Sequence, residues 1–156
     1  MSDASALAGR IPIFLEDVKR SVERAVSLGE KAKQSGDDGY WDGAALNLHG
    51  FYNGVERIFE DIARTLEKEI PDSEQWHIDL LAQMAGEIEG LRPAVITRET
   101  RNCLDAYRGF RHVVRNVYAF NLRPARLNDL VNDLPGCFES VQRDLKEFKK
   151  FLEGID

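Results

Sequence analysis

Across residues 127–152 the apolar side chains Leu127, Leu130, Leu134, Phe138, Val141, Leu145, Phe148 and Leu152 recur at steps of three and four. That spacing is the helical period, so one apolar stripe runs along about seven turns and needs other elements to cover it. Pro124 suits the first turn of this helix. The stripe keeps its phase through Pro135, which predicts either one kinked helix or two nearly collinear ones, because an internal proline removes a backbone hydrogen bond.

The same period recurs upstream. Ile11, Phe14, Val18, Val22 and Val26 predict a first helix ending near Gly36, followed by the turn Ser35-Gly36-Asp37-Asp38-Gly39. Asp42 is the expected N-cap of a second helix carrying Leu48, Phe51 or Tyr52, Val55, Ile58 or Phe59, Ile62 and Leu66, which stops at or before Pro71. Ser73 with Trp76, Leu80, Leu81 and Met84 predicts a shorter third helix, closed by the glycines at 86 and 90 and by Pro93. Thr97 or Arg98 opens a fourth, running to about Phe120. The only candidate strand, Pro93-Ala94-Val95-Ile96-Thr97, is short and starts on a proline. The expected fold is all-α, an antiparallel four- or five-helix bundle in one domain over residues 1–156.

No segment reaches the ~18 apolar residues that a membrane span requires, so no membrane role is expected. Met1-Ser2-Asp3-Ala4-Ser5 has neither the basic start nor the apolar run of a secretory signal, and a cytoplasmic location follows as the expectation. In that setting Cys103 and Cys137 read as small core hydrophobes. His49, His77 and His112 have no tight metal-ligand spacing with them, so no metal and no cofactor are implied. His49 and His77 read as helix-surface or satisfied core histidines.

Charge is the informative part of the composition. The chain carries a formal net charge of −6, which argues against a general binder of nucleic acid. Between residues 98 and 126, however, stand seven arginines (98, 101, 108, 111, 115, 123 and 126) against only Glu99 and Asp105. An acidic body with one cationic strip suits a protein that positions a phosphate locally. The strip contains arginine and no lysine, and only the planar guanidinium fork offers bidentate contacts to phosphate.

On a helix of about 100° per residue, with Arg111 at zero, Arg101, Arg108, His112 and Arg115 fall within about 100° of it on one side. Tyr118 lies at the edge of that arc and Asn116 near 140° by the same rotation of about 100° per residue. Ala106, Tyr107, Phe110, Val113, Val114, Val117 and Phe120 make the opposite, core-facing arc. Like charges one turn apart repel, and an anionic partner would relieve them. The histidine, amide and tyrosine among the guanidiniums can move a proton, orient a ribose hydroxyl or stack on a base. The plainer alternative is that the arginines pair with carboxylates of the bundle, or of a second copy.

The octet Arg111-His112-Val113-Val114-Arg115-Asn116-Val117-Tyr118 resembles the signature helix of HEPN domains, specifically the HepT-like toxins: an arginine, four to six intervening positions of which the first is polar, then histidine, any residue, tyrosine. Residues 46–59 resemble the partner helix of that family, and Trp76-His77 with Leu80, Leu81 and Met84 its short third helix. The resemblance implies a toxin of a toxin–antitoxin pair: a metal-independent endoribonuclease acting as a homodimer. In such an enzyme a ribose 2′-hydroxyl attacks the adjacent phosphate and leaves a 2′,3′-cyclic end.

By that resemblance Arg111 matches the arginine that holds the scissile phosphate. Tyr118 matches the motif tyrosine, which a nucleotidyltransferase antitoxin modifies with AMP. Asn116 stands where the family has its histidine, and an amide cannot serve as a general base or acid. His112 is then the candidate proton-transfer group, and Arg101, Arg108 and Arg115 the candidate RNA contacts. The alternative is a catalytically weakened HEPN module that binds RNA or a partner protein through its arginine face. Tyr52 is expected in the core, and Glu56 beside an arginine of the signature helix.

Overall fold

The computed structural model describes residues 2–116 and 122–155, the side chains of Arg115 and Asn116 excepted. Within them run five helices: α1 (Asp3–Ser35), α2 (Gly39–Ile62), α3 (Trp76–Met84), α4 (Arg98–Asn116) and α5 (Pro124–Glu153). The only β pairing among the described residues is an isolated bridge between Ile88 and Arg92. The architecture is the expected all-α bundle. α2 lies at its centre, against α1, α4 and α5, while α3 caps the end where α2 meets α4.

α1 begins eight residues before the apolar repeat that announced it. Ala4, Leu7 and Ala8 extend the buried stripe back to Asp3, and Ser2 caps the start by accepting the Ser5 N–H at 3.1 Å. Pro12 therefore sits inside the helix and not in its first turn. Gly36, at φ 72°, ends it in the left-handed conformation that glycine adopts without penalty, its N–H bonding Ala32 O.

α2 starts at Gly39, not after Asp42, and Asp42 is its first-turn acid. The turn before it is closed by Asp37, whose Oδ1 accepts the Gly39 N–H at 2.9 Å. α2 approaches α1 closely because Gly54 faces Val18: a Cβ there would lie 2.7 Å from a Val18 methyl. After Ile62 the helix widens into a π-turn, Ala63–Glu67, and stops at Lys68, well before Pro71.

α5 is a single helix through Pro135, and all eight residues of its predicted stripe are buried. Phe51 meets Tyr107 edge-on at 5.2 Å between ring centroids, joining α2 to α4. Tyr107 donates its hydroxyl hydrogen to Leu130 O at 2.7 Å, which ties α4 to α5.

Two expectations are corrected. Cys103 and Cys137 are not separate core thiols; they form a disulfide between α4 and α5, with Cα atoms 5.7 Å apart. Val113, placed by helical rotation on the core face, is 41% exposed. Its neighbours Tyr107 and Phe110 fill the space against α2 and α5, and the buried arc is narrower than the apolar one. Among the described residues no helix is long and apolar enough to cross a membrane.

Candidate functional site

The arginine helix is fixed at its start by α5. Thr97 caps α4 by accepting the Thr100 N–H at 3.2 Å, and Asp144 on α5 accepts both the Thr97 N–H and its hydroxyl, at 2.9 and 3.0 Å. Burial pushes the Asp144 carboxyl up, but bonds from Thr100, Thr97 and Arg143 outweigh it and hold the group below the usual carboxylate range. Leu104, Tyr107 and Phe110 bury the inner face further along. The cationic face is thereby turned toward α2 and α3.

Arg111 is anchored on two sides. Its Nε donates to Asn53 Oδ1 on α2 at 2.9 Å, and its Nη1 lies 3.1 Å from His77 Nε2 at the start of α3. On its other side His77 Nδ1 lies 2.7 Å from Glu56 Oε2. A guanidinium only donates, so His77 Nε2 accepts. The ring proton then belongs to Nδ1, where it is donated to the Glu56 carboxylate. Three helices thus contribute to one chain of polar contacts, Glu56 to His77 to Arg111.

The chain is partly withdrawn from water. Glu56 is 4% exposed and the His77 side chain 20% exposed. The Trp76 ring lies against the imidazole with centroids 3.6 Å apart. Burial pushes the Glu56 carboxyl above its ordinary range, while the hydrogen bond to His77 and the charge of Arg111 pull it back only in part. Tyr52, one turn earlier and 1% exposed, is core as expected; burial, followed by the charge of Glu56, drives its phenol further up from an already high value. It carries no negative charge at neutral pH.

Outside this chain opens a cleft of about 460 Å³, with His77, Arg108, Arg111 and His112 on its walls and Glu74 at its rim. Arg108 is steadied by Asp105, Nε to Oδ1 at 2.7 Å. A larger groove of about 620 Å³ between α1 and α5, floored by Ile11, Pro12, Leu15 and Leu145, contains no histidine. The polar chemistry therefore lies in the smaller cleft.

One comparison completes the assignment. A family model described as a HepT-like protein matches residues 43–152, from the first turns of α2 to the end of α5. The chain belongs to the HepT-like family. No curated protein and no solved structure matches it.

Within this HepT-like chain the structure brings three of the residues expected from the sequence, Arg108, Arg111 and His112, into one cleft. Arg101 lies on exposed surface nearly three turns before Arg111 and does not line it. The side chains of Arg115 and Asn116, and all of Val117, Tyr118 and Phe120, lie outside the described residues. Between Glu56 and Arg111 stands His77, which contacts both.

His77 and Asn53 are the residues that sequence reasoning missed. Asn53 had a readable signal, since it lies three residues before Glu56 and so one turn away on the same face. His77 had none within its own segment, because its value depends on where α3 docks.

Proposed function

We propose that this HepT-like protein is the toxin of a toxin–antitoxin pair and a metal-independent endoribonuclease, cutting RNA by attack of a 2′-hydroxyl on the neighbouring phosphate. The observation that carries the reading is Arg111, a permanent cation held by Asn53 and His77 at the wall of a cleft that also presents Arg108 and His112. A guanidinium fixed before substrate arrives is suited to neutralising a phosphate on which charge builds up in the transition state.

Arg111 holds the scissile phosphate, and His112 is a proton-transfer group beside it. Arg101, Arg108 and Arg115 contact the flanking RNA backbone. Asn116, in the place of the family's histidine, offers hydrogen bonds only. A second copy of the chain completes the cleft, and an antitoxin of the nucleotidyltransferase class silences it by adding AMP to Tyr118.

The test is incubation of labelled tRNA and mRNA with purified protein and EDTA, comparing wild type with Arg111→Ala and His112→Ala. The proposal expects 2′,3′-cyclic ends from wild type and their loss from both variants. Asn116 favours a second reading, a module that grips RNA without cutting it. Its mark would be folded wild type that binds RNA, more weakly as salt rises, and yields no product.

A further inference from the structure

The sequence motif assigns nothing to Glu56 or His77, yet His77 lines the cleft and Glu56 stands directly behind it. A buried carboxylate costs stability unless it is well paired, and here an imidazole is among its partners. That imidazole is fixed three ways: Glu56 holds Nδ1, Trp76 covers the ring face, and Nε2 points at Arg111. A carboxylate behind one ring nitrogen orients the ring, selects the tautomer and stabilises the cation formed when the other nitrogen takes a proton.

We propose that His77 is the general base of the cleft, with Glu56 as its positioning residue, so that the imidazole absent at Asn116 is supplied from α3. This assignment rests on the ribonuclease reading above. As a phosphodiester takes over the Arg111 Nη1 hydrogen, the Nε2 lone pair is released beside that same phosphate, where the 2′-hydroxyl of the bound nucleotide stands.

The step balances without a co-reactant. Nε2 takes the 2′-hydroxyl proton as the 2′ oxygen bonds to phosphorus. The bond from phosphorus to the 5′ oxygen breaks, and its electron pair leaves with that oxygen, which takes a proton from His112. The products are a 2′,3′-cyclic phosphate and a free 5′-hydroxyl. His77 ends as an imidazolium between Glu56 and the phosphate, and exchange with water restores both histidines.

Around His77 stand Glu56 on α2, Arg108, Arg111 and His112 on α4, and Glu74 on its own side. The experiment is cleavage of labelled RNA with EDTA from about pH 5 to pH 9, a range that spans the ordinary histidine value, by wild type, His77→Asn, Glu56→Gln and His112→Ala. RNA affinity and circular dichroism are followed in parallel. His77→Asn is expected to lower kcat by about 10²- to 10⁴-fold with RNA binding unchanged, and to abolish the rise of rate with pH. Glu56→Gln is expected to lower kcat, not affinity, by a smaller factor. Imidazole ¹⁵N spectra of wild type should show His77 protonated on Nδ1, and that preference should weaken in Glu56→Gln.

If His77→Asn is folded and cleaves as fast as wild type with the same pH profile, the assignment is wrong and the ribonuclease reading stands on His112 alone. If folded wild type cuts no RNA, the ribonuclease reading fails and the role of His77 fails with it. A ring protonated on Nε2 would also overturn the assignment, whatever the activity.

Discussion

Replacing Arg92 by Met should cost this small bundle a large part of its stability. The Arg92 side chain is 0% exposed and Glu67, its partner, 5%. Nε and Nη2 donate to the two Glu67 carboxylate oxygens at 3.1 and 3.2 Å, and the remaining N–H groups go to the carbonyls of Gly86, Pro93 and Gln83 at 2.7, 3.0 and 3.0 Å. All five donors of the guanidinium are therefore used. Methionine keeps much of the volume but takes the guanidinium from the carbonyls of Gly86 and Pro93 and leaves the buried Glu67 carboxylate without a cation, with the Gln83 amide still donating to it.

Breaking such a pair from one side costs about 3–5 kcal/mol, most of it the cost of the stranded charge. For a chain of this size that is a fall in Tm of roughly 6–20 °C. Urea unfolding followed by circular dichroism measures it. The double variant Arg92→Met with Glu67→Met should recover part of the loss, since no charge is then left buried. A single-variant loss below ~1 kcal/mol would refute the reasoning, because the desolvation cost of Glu67 would then be absent.

Three further outcomes are expected. Glu56→Gln should be more stable than wild type at neutral pH, because burial holds the folded-state carboxyl above its unfolded value; the wild type gains stability as pH falls through that raised value, so the gap closes toward acid, which melts at stepped pH will show. Reduction of the Cys103–Cys137 disulfide, which closes a loop of sequence separation 34, should lower stability by roughly 4 kcal/mol at most on loop entropy, measured as the shift of the urea midpoint with reductant. Gly54→Ala should cost about 1–3 kcal/mol by pushing α1 from α2 at Val18, whereas Gly109→Ala, whose added Cβ meets nothing within 4 Å, should not destabilise the fold.

The bundle was legible wherever the apolar spacing ran unbroken. The α5 stripe from Leu127 to Leu152 is buried throughout, and Thr97 opens α4 as its hydroxyl and position suggest. The first turns of α1 were not legible, because Ala4 and Ala8 are weak hydrophobic markers and Pro12 normally stands near a helix start. Val113 misled for a different reason: helical rotation gives an angle on the helix and says nothing of how wide an arc its neighbours cover.

In the site, the Arg111 face could be read from one helix because its residues share a single period. The Glu56–His77 contact joins residues 21 apart, and the disulfide joins residues 34 apart. Both depend on how helices dock, which no local spacing encodes. Sequence placed Glu56 near the signature helix, but the His77 Nδ1–H that meets its carboxylate comes from α3.

Under the proposed function, Arg111 grips a phosphodiester that is then cut. The most direct test is the 3′ end of RNA recovered after incubation with EDTA and either wild type or a folded Arg111→Ala variant. A 2′,3′-cyclic phosphate from wild type and intact RNA from the variant is the predicted result. Intact RNA from both, or equal cleavage by both, would contradict it.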